Sequence, residues 1–242
     1  MSRTSLIISI LVLSAAQAGA GTFEPAPYLA ELHVDVLSKQ VANDEFGRDL
    51  FGDPYATVVV GNVDVYDRFP YLEARYFQVV SDPAWNRLLL GEIGQGLSAF
   101  DGSTSRVGTL KSPHGLSTDG RGLIYLADSG NDRVLVFRTV TEFDRIRLEP
   151  VYSIDDLNDP YGVAHSDNGT PFDAADDVLY VANTGKNEVR RYALGTSGAT
   201  LTATLGTLGS GNAHFAGPIA IAVDVTDTPE EEAGAAPAAA ST

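Results

Sequence analysis

The stretch from Ser166 to Asp177 gathers the side chains that could bind a metal ion. Calcium prefers six to eight hard oxygen ligands, and a flexible loop of Asp, Asn and Gly residues can supply several of them together. The spacing does not follow the twelve-residue helix–loop–helix calcium pattern, because no bidentate Glu closes the loop. Two interpretations therefore stay open, a solvated acidic loop and a calcium site. The calcium ligands would be Asp167, Asn168, Asp173, Asp176 and Asp177.

No other motif in the sequence indicates a catalytic centre, and calcium is the only cofactor that the residues suggest. A Gly-x-Ser-x-Gly nucleophile elbow, a phosphate-binding loop and a dinucleotide fingerprint do not occur. Asp128 and Arg133 have side chains suited to catalysis, but both sit at a tight turn between two apolar runs. We expect Asp128 to cap this turn and Arg133 to pack or pair across the sheet. No residue is therefore assigned a catalytic role.

This turn belongs to a unit that repeats along the chain. In Ser112–Arg138, short apolar runs alternate with Asp, Gly, Asn and Ser residues, which is typical of sequential antiparallel strands. The pattern returns in Asp159–Tyr192, where VLYVANTGKNEVRRY aligns without a gap with LIYLADSGNDRVLVF. A third copy begins at Gly217–Asp224 and breaks off. Repeats of this size, each a sheet too small to bury both faces alone, are typical of propellers or solenoids.

At these residues the sequence resembles the NHL-repeat family of β-propellers. The family pattern joins Pro-x-Gly and an Asp, a glycine turn, a Tyr-apolar-Ala-Asp strand, and Asn-x-Arg-Val ending in Phe. The first copy fits at Pro113, Gly115, Asp119, Tyr125, Ala127, Asp128, Asn131, Arg133, Val134 and Phe137. The second copy departs from the pattern with Asn183, Lys186 and Glu188. The resemblance implies a propeller fold and no single function, because such propellers host enzymes, scaffolds and binding modules.

The histidines are His33, His114, His165 and His214. Some members of the resembled family have lyase activity and use histidines around a central zinc ion. In this chain His114 aligns with Tyr161 of the next copy and not with His165. We therefore do not expect a metal ring built from equivalent positions of the repeats.

Strand signals upstream of the clear copies predict a degenerate blade. They fall in Thr57–Val60, Val63–Tyr66, Glu73–Val80, Arg87–Gly91 and Gly96–Asp101. Trp85 lies at a turn of this blade, and we expect it to pack against the neighbouring blade; the alternative is a platform for a ligand. The sequence thus predicts an all-β fold of about three to four NHL-like β-propeller blades. We expect an incomplete or open propeller, because closed rings usually need four to eight blades.

The sequence divides into four segments. Residues 1–20 have the composition of a signal peptide, with Arg3, an apolar run from Leu6 to Leu13 and small residues near a cleavage site. About eight apolar residues are too few to cross roughly 30 Å of hydrocarbon, so we expect secretion or a periplasmic location and no membrane insertion after cleavage. Residues 21–55 are of uncertain structure, 56–225 hold the repeats, and 226–242 form an acidic, Ala-rich tail expected to be disordered.

The amino-acid composition excludes some classes of partner and ligand. A formal net charge of −16 argues against nucleic acid as a partner, because phosphates require a basic surface. The chain has no cysteine, which excludes disulfides and thiolate ligands. We expect a non-catalytic module that binds a protein or an extracellular glycan through loops on one face, with self-association through open sheet edges. The alternative is a secreted propeller-type hydrolase or lyase, such as a calcium-dependent lactonase.

Overall fold

The computed structural model describes residues 51–61, 76–93, 96–142, 145–170, 173–212 and 214–223. The predicted signal peptide, the strand at Val63–Tyr66 and the tail from 226 lie outside these ranges. Across the described ranges the regular elements are strands and three one-turn 3-10 helices, and no helix is long and apolar enough to cross a membrane. The strands are β1 (Thr57–Gly61), β2 (Tyr76–Asp82), β3 (Arg87–Glu92), β4 (Ser98–Phe100), β5 (Pro113–Thr118), β6 (Leu123–Asp128), β7 (Arg133–Glu142), β8 (Arg145–Ile154), β9 (Pro160–Ser166), β10 (Val178–Asn183), β11 (Glu188–Leu194) and β12 (Ala199–Leu205).

The strands form three four-stranded antiparallel sheets, here called blade one (β1–β4), blade two (β5–β8) and blade three (β9–β12). Within each sheet, neighbours in sequence are neighbours in space. Tyr125 of blade two pairs with Ser117 and Val136, and Tyr180 of blade three holds the equivalent place. The two clear repeats therefore share one register, and the degenerate copy forms blade one. The predicted all-β architecture is confirmed.

Blade two lies at the centre of the described structure because both of its faces are buried. Successive residues of a strand point to opposite faces, so Ile124 and Leu126 pack against blade one while Tyr125 and Ala127 pack against blade three. All four are at most 1% exposed. Fully burying a large apolar side chain contributes about 1.5–3 kcal/mol. A continuous apolar run such as Leu123–Ala127 therefore suits a strand that has a neighbour on each side.

A buried side chain at the end of the second strand anchors each blade. These anchor residues are Asp82, Asp128 and Asn183, and each is fully buried. Asp128 Oδ1 accepts the N–H of Lys111 at 2.7 Å, and Asn183 Oδ1 accepts the N–H of Asn158 at 2.7 Å. In blade one Asp82 accepts the N–H groups of residues 52 and 53. Each anchor thereby fixes the segment that leads into the first strand of its own blade.

The hydrogen bonds of blade three explain how this blade tolerates its departures from the repeat pattern. In blade two the anchor Asp128 accepts a hydrogen bond from Arg133 Nε at 2.8 Å. In blade three the amide of Asn183 donates to Glu188 at 2.7 Å, and Glu188 in turn accepts from Arg190 Nε at 2.7 Å. The carboxylate now stands at the position that Arg133 holds in blade two, and Arg190 supplies the guanidinium, so the buried polar groups remain paired.

The roles expected for Asp128 and Arg133 are thus partly confirmed. Arg133 pairs with Asp128 across the turn, as predicted. Asp128 does not cap the N–H groups of the one-turn helix Ser129–Asn131. Its carboxylate instead accepts hydrogen bonds from Arg133, from the Asn131 amide and from the backbone before β5. Asp128 and Arg133 therefore have structural roles, which explains why they occur at these positions of the repeat.

A second set of contacts joins each blade to the next. Asn86, Asp132 and Asn187 follow the one-turn helices with positive φ angles between 53° and 56°, which Asn and Asp tolerate well. Their side-chain oxygens accept the N–H of the residue that precedes the proline of the next blade. The donors are Ser112 at 2.7 Å, Asp159 at 2.8 Å and Gly217 at 2.9 Å.

The third sequence copy occupies the place of an inner strand beside β9. Thr184 Oγ1 donates to the carbonyl of Pro218 at 2.6 Å, as Ser129 does to Pro160 at 2.5 Å. A Cβ on Gly162 would lie 2.9 Å from the Ile219 carbonyl oxygen, so only glycine allows this approach. Residues 217–221 are nevertheless not a strand, and no fourth sheet follows within the described ranges. The predicted incomplete propeller is confirmed.

Loss of one anchor should destabilise the whole fold. In Asp128→Ala, the Lys111 N–H and the Arg133 guanidinium lose their buried partner. We expect the free energy of unfolding to fall by about 3 kcal/mol, the low end for a broken buried pair, because Arg133 keeps 20% of its side chain exposed. Urea denaturation at pH 7 measures this. The control Glu149→Ala removes an ion pair that is about half exposed and should cost under about 1 kcal/mol. Equal losses in the two variants would contradict the anchor role.

Candidate functional site

A proline stands at the entry to each blade. The residues that follow these prolines lie at the same end of the inner strands. Blade two begins Pro113-His114 and blade three begins Pro160-Tyr161. Blade one is entered through Pro54-Tyr55, and the third sequence copy begins Pro218-Ile219. The residues after these prolines come together, and we call them the entrance surface: Tyr55, His114, Tyr161 and Ile219.

Three aromatic rings are in contact on the entrance surface. The His114 ring stacks on Tyr161 with centroids 3.9 Å apart and an interplanar angle of 27°. Tyr55 meets His114 edge-on at 4.9 Å and lies 6.1 Å from Tyr161, and its hydroxyl lies 3.5 Å from the Ile219 carbonyl. Tyr55 and Ile219 are 45% and 55% exposed, while His114 and Tyr161 are half-buried. The result is an aromatic floor, built by separate blades and open to solvent.

The hydrogen bonds of His114 fix its tautomer. Its Nδ1 lies 2.9 Å from Ser129 Oγ, and the Ser129 hydroxyl donates to the Pro160 carbonyl. A hydroxyl has one proton, so His114 Nδ1 must carry the hydrogen and donate it to Ser129. In this tautomer Nε2 carries no hydrogen and can serve as an acceptor. Burial lowers the pKa of His114, outweighing the backbone hydrogen bond at Ser112 and the charges of Asp159 and Asp53, so the ring is neutral at pH 7.

The tyrosine at the edge of this surface is also un-ionised. Burial, and next the neighbouring Tyr161, raise the pKa of the Tyr55 hydroxyl above its usual value. The entrance surface therefore offers neutral rings, a hydroxyl group and one imidazole acceptor. Such groups recognise ligands by stacking and hydrogen bonding, without requiring an opposite charge.

A second polar cluster lies between blades two and three, near the other end of β9. His165 Nε2 is 3.0 Å from Asp177 Oδ2, and the Arg121 guanidinium hydrogen-bonds the same oxygen. Tyr125 stacks nearly parallel to His165 at 5.6 Å, and burial raises the pKa of its hydroxyl. Burial also raises the pKa of Tyr152 to about 12. Asp177 is 4% exposed, so this cluster is buried between the blades.

The histidines thus occupy separate places. His114 lies on the entrance surface and His165 in the buried cluster, while His214 bonds Thr207 Oγ1 at 2.9 Å. His33 lies outside the described residues. Over the described ranges, no three His, Asp or Glu side chains come together in a group that could hold a metal ion.

The residues of the acidic loop contact donors of the chain itself. Asp167 accepts the N–H of residue 169, Asp173 accepts that of residue 175, and Asp176 accepts the Thr170 hydroxyl at 2.7 Å. Asn168 Nδ2 donates to the Asp176 carbonyl at 2.7 Å. Asp177 faces the buried cluster rather than the loop. The loop is described except for residues 171 and 172, and calcium binding by it stays a prediction.

Two of these features bear on what the sequence predicted. Residues 21–55 were expected to be a segment of uncertain structure, whereas Pro54-Tyr55 enters blade one. The proline before the β-branched run at Thr57–Val60 is the sequence feature that could have predicted this entry into blade one. The expected packing of Trp85 against the neighbouring blade stays a prediction, and the ring is 47% exposed and lies under the guanidinium of Arg87 in its own blade.

The strand order, the anchors and the repeated blade-to-blade contacts define these sheets as β-propeller blades. Residues 110–137 match the family model of the NHL repeat. The match spans β5, β6 and the first half of β7, which are the strands held by the anchor Asp128. The NHL-repeat resemblance is confirmed for this blade. No curated protein matches the chain.

Protonation of His114 should make stability depend on pH. Its pKa is lowered in the folded chain from 6.5, so the unfolded chain binds the proton more readily. The stabilisation from the neutral ring is present above about pH 6.5 and is lost as the pH falls below it. We expect the fall in melting temperature between pH 7 and pH 5 to be smaller in His114→Asn than in wild type, as followed by circular dichroism. An identical fall in both proteins would contradict a neutral, half-buried imidazole at His114.

The calcium prediction has a direct test. Binding by the loop requires that calcium raise the melting temperature, since a ligand of the folded state stabilises it. The rise should be lost in the double variant Asp167→Asn and Asp176→Asn, and magnesium should not replace calcium because it demands a stricter octahedral geometry. An unchanged melting temperature at millimolar calcium would leave the loop as a solvated turn.

Proposed function

We propose that the chain is an exported, non-catalytic binding module that recognises a protein or an extracellular glycan. The observation that carries the proposal is the entrance surface, where Tyr55, His114 and Tyr161 from three blades meet with their rings partly exposed. Loops and strand entries on a rigid scaffold commonly carry recognition, because the strands themselves are occupied by packing.

The chemistry of the entrance surface supports binding by stacking. Aromatic side chains combine a large apolar area with few rotatable bonds, so they contribute much contact at a low entropic cost. His114 is fixed by Ser129 and by its stack on Tyr161, and its position does not have to be ordered by a ligand. A ligand that has a flat apolar face and a hydroxyl or N–H donor for Nε2 meets these requirements.

The net charge of the chain limits the classes of partner that it can bind. The formal net charge of −16 repels polyanions, so we propose neutral or cationic partners and exclude nucleic acid from the proposal.

Export is supported by the sequence of residues 1–20, and a secreted or periplasmic location follows from it. Self-association through open sheet edges is part of the same proposal, because β12 ends blade three and has one paired neighbour in the described structure.

The test is a binding screen with the mature chain on a glycan array and a peptide library, followed by affinity measurement of each hit. Tyr161→Ala and Tyr55→Ala should each weaken binding at least tenfold, which is the loss expected for an aromatic residue at the centre of an interface. Tyr76→Ala is the control, because Tyr76 is 48% exposed on β2 and does not belong to the entrance surface. Its affinity should match wild type.

Two results would contradict the proposal. Hits with the same affinity in Tyr161→Ala, Tyr55→Ala and wild type would show that the entrance surface is not the site. Hydrolysis of a lactone by the wild-type chain, abolished by a calcium chelator, would favour the alternative of a calcium-dependent lactonase-like enzyme.

A further inference from the structure

We propose that a cleft on blade one binds a saccharide, at a site separate from the entrance surface. The cleft has a volume of about 570 Å³ and lies at the turn between β2 and β3 and the segment after β4. This proposal goes beyond the function proposed above and does not depend on the entrance surface. The residues that argue for it are Trp85, Arg87, Phe100, Asp101, Ser103 and Thr104.

Trp85 occupies a position that is polar in the other blades. In blade two the equivalent residue is Asn131, whose amide donates to the Thr109 carbonyl and to the anchor Asp128. In blade three it is Lys186, whose ammonium group lies 3.5 Å from the Asp156 carbonyl. These polar contacts help to hold the segment that enters the blade. Blade one has a half-exposed indole in place of these polar groups.

The indole is held in a defined orientation. A Cβ on Gly52 would lie 3.1 Å from Trp85 Cδ1, so the edge of the ring rests on the backbone of residue 52. The Arg87 guanidinium lies 4.2 Å from the ring centroid, within cation–π distance. Arg87 is itself fixed by a hydrogen bond from Nε to Asp82 at 3.1 Å. A large ring fixed by the buried anchor, yet 47% exposed, is a pre-organised stacking surface.

The rest of the cleft combines an apolar floor with a polar rim. Phe100 is supported from behind by Phe137, edge-on at 5.6 Å. Asp101 Oδ1 accepts hydrogen bonds from the Ser103 N–H at 2.9 Å and the Ser103 hydroxyl at 2.7 Å. These bonds lower the pKa of Asp101, with the side-chain bond contributing most, so its carboxylate is ionised at pH 7. Thr104 adds a hydroxyl beside it.

A saccharide fits this combination better than a purely apolar or a charged ligand. The C–H face of a sugar ring can stack on the indole, while its hydroxyl groups can donate to a carboxylate and exchange hydrogen bonds with Thr104. Ligand sites commonly pair apolar and aromatic walls with a few fixed polar groups in this way. The carboxylate of Asp101 and the net charge of −16 repel acidic sugars. The expected class is a neutral or amino saccharide.

The chain has one tryptophan, so its fluorescence reports directly on the cleft. The wild-type chain would be titrated with maltotriose, cellotriose and chitotriose, with trigalacturonate as the acidic comparison. We expect at least one neutral or amino trisaccharide to give a saturable blue shift of the emission and to halve the quenching by acrylamide, because it covers the exposed ring. Trigalacturonate should give neither change.

Variants then locate the site by calorimetry with the trisaccharide that binds. Asp101→Asn should weaken binding about tenfold through the loss of a charged acceptor. Trp85→Tyr should keep most of the affinity and Trp85→Ala should lose it, while Tyr161→Ala should bind as wild type does. The proposal is overturned if no trisaccharide alters the fluorescence at 10 mM, if trigalacturonate binds as well as the others, or if Asp101→Asn and Trp85→Ala keep the wild-type affinity.

Discussion

The structure depends on one buried polar interaction that each blade repeats. A side chain at the end of the second strand, Asp82, Asp128 or Asn183, accepts backbone N–H groups from the segment that leads into the same blade. A fully buried carboxylate is costly unless each of its hydrogen bonds is made. The anchors therefore allow only one path for the entering chain. That path fixes the proline and the residue after it, and hence the entrance surface.

The anchor also links stability with recognition. In blade one the same carboxylate, Asp82, binds the backbone of residue 52 and positions Arg87, which lies over Trp85. In blade two the hydroxyl next to the anchor, Ser129, orients His114 and bonds the Pro160 carbonyl of the following blade. Each proposed binding surface thus contains a ring that is oriented through a buried anchor or through the residue next to it. A ligand meets rings whose orientation was fixed by folding.

The repeat could be predicted from the sequence because its signals are local. Runs such as Leu123–Ala127 bounded by turn residues indicate strands, and the gapless alignment with Val178–Ala182 gives the shared register. The incomplete propeller was predicted from the interrupted third copy. These features depend on residues that are neighbours in sequence, which is why periodicity and turn chemistry were sufficient.

The sites were harder to predict because they join residues far apart in the chain. Tyr55 and Tyr161 meet only because two blades place their prolines at one end. Asn183 and Glu188 depart from the repeat pattern, and only the structure shows that they pair with each other and that Arg190 pairs with Glu188. Asp177 has the same type of side chain as the loop residues beside it, yet it faces a buried histidine. No pattern of spacing distinguishes these cases.

Each blade positions the entering segment of the next, and the same contact holds the segment that follows blade three. Native-state hydrogen exchange, read by NMR at single amides, measures this contact. The N–H groups of Asp159 and Gly217 bond to equivalent side chains, Asp132 and Asn187. We expect both amides to be protected to a similar degree. Protection of Asp159 together with exchange of Gly217 at the rate of an unstructured peptide would contradict it.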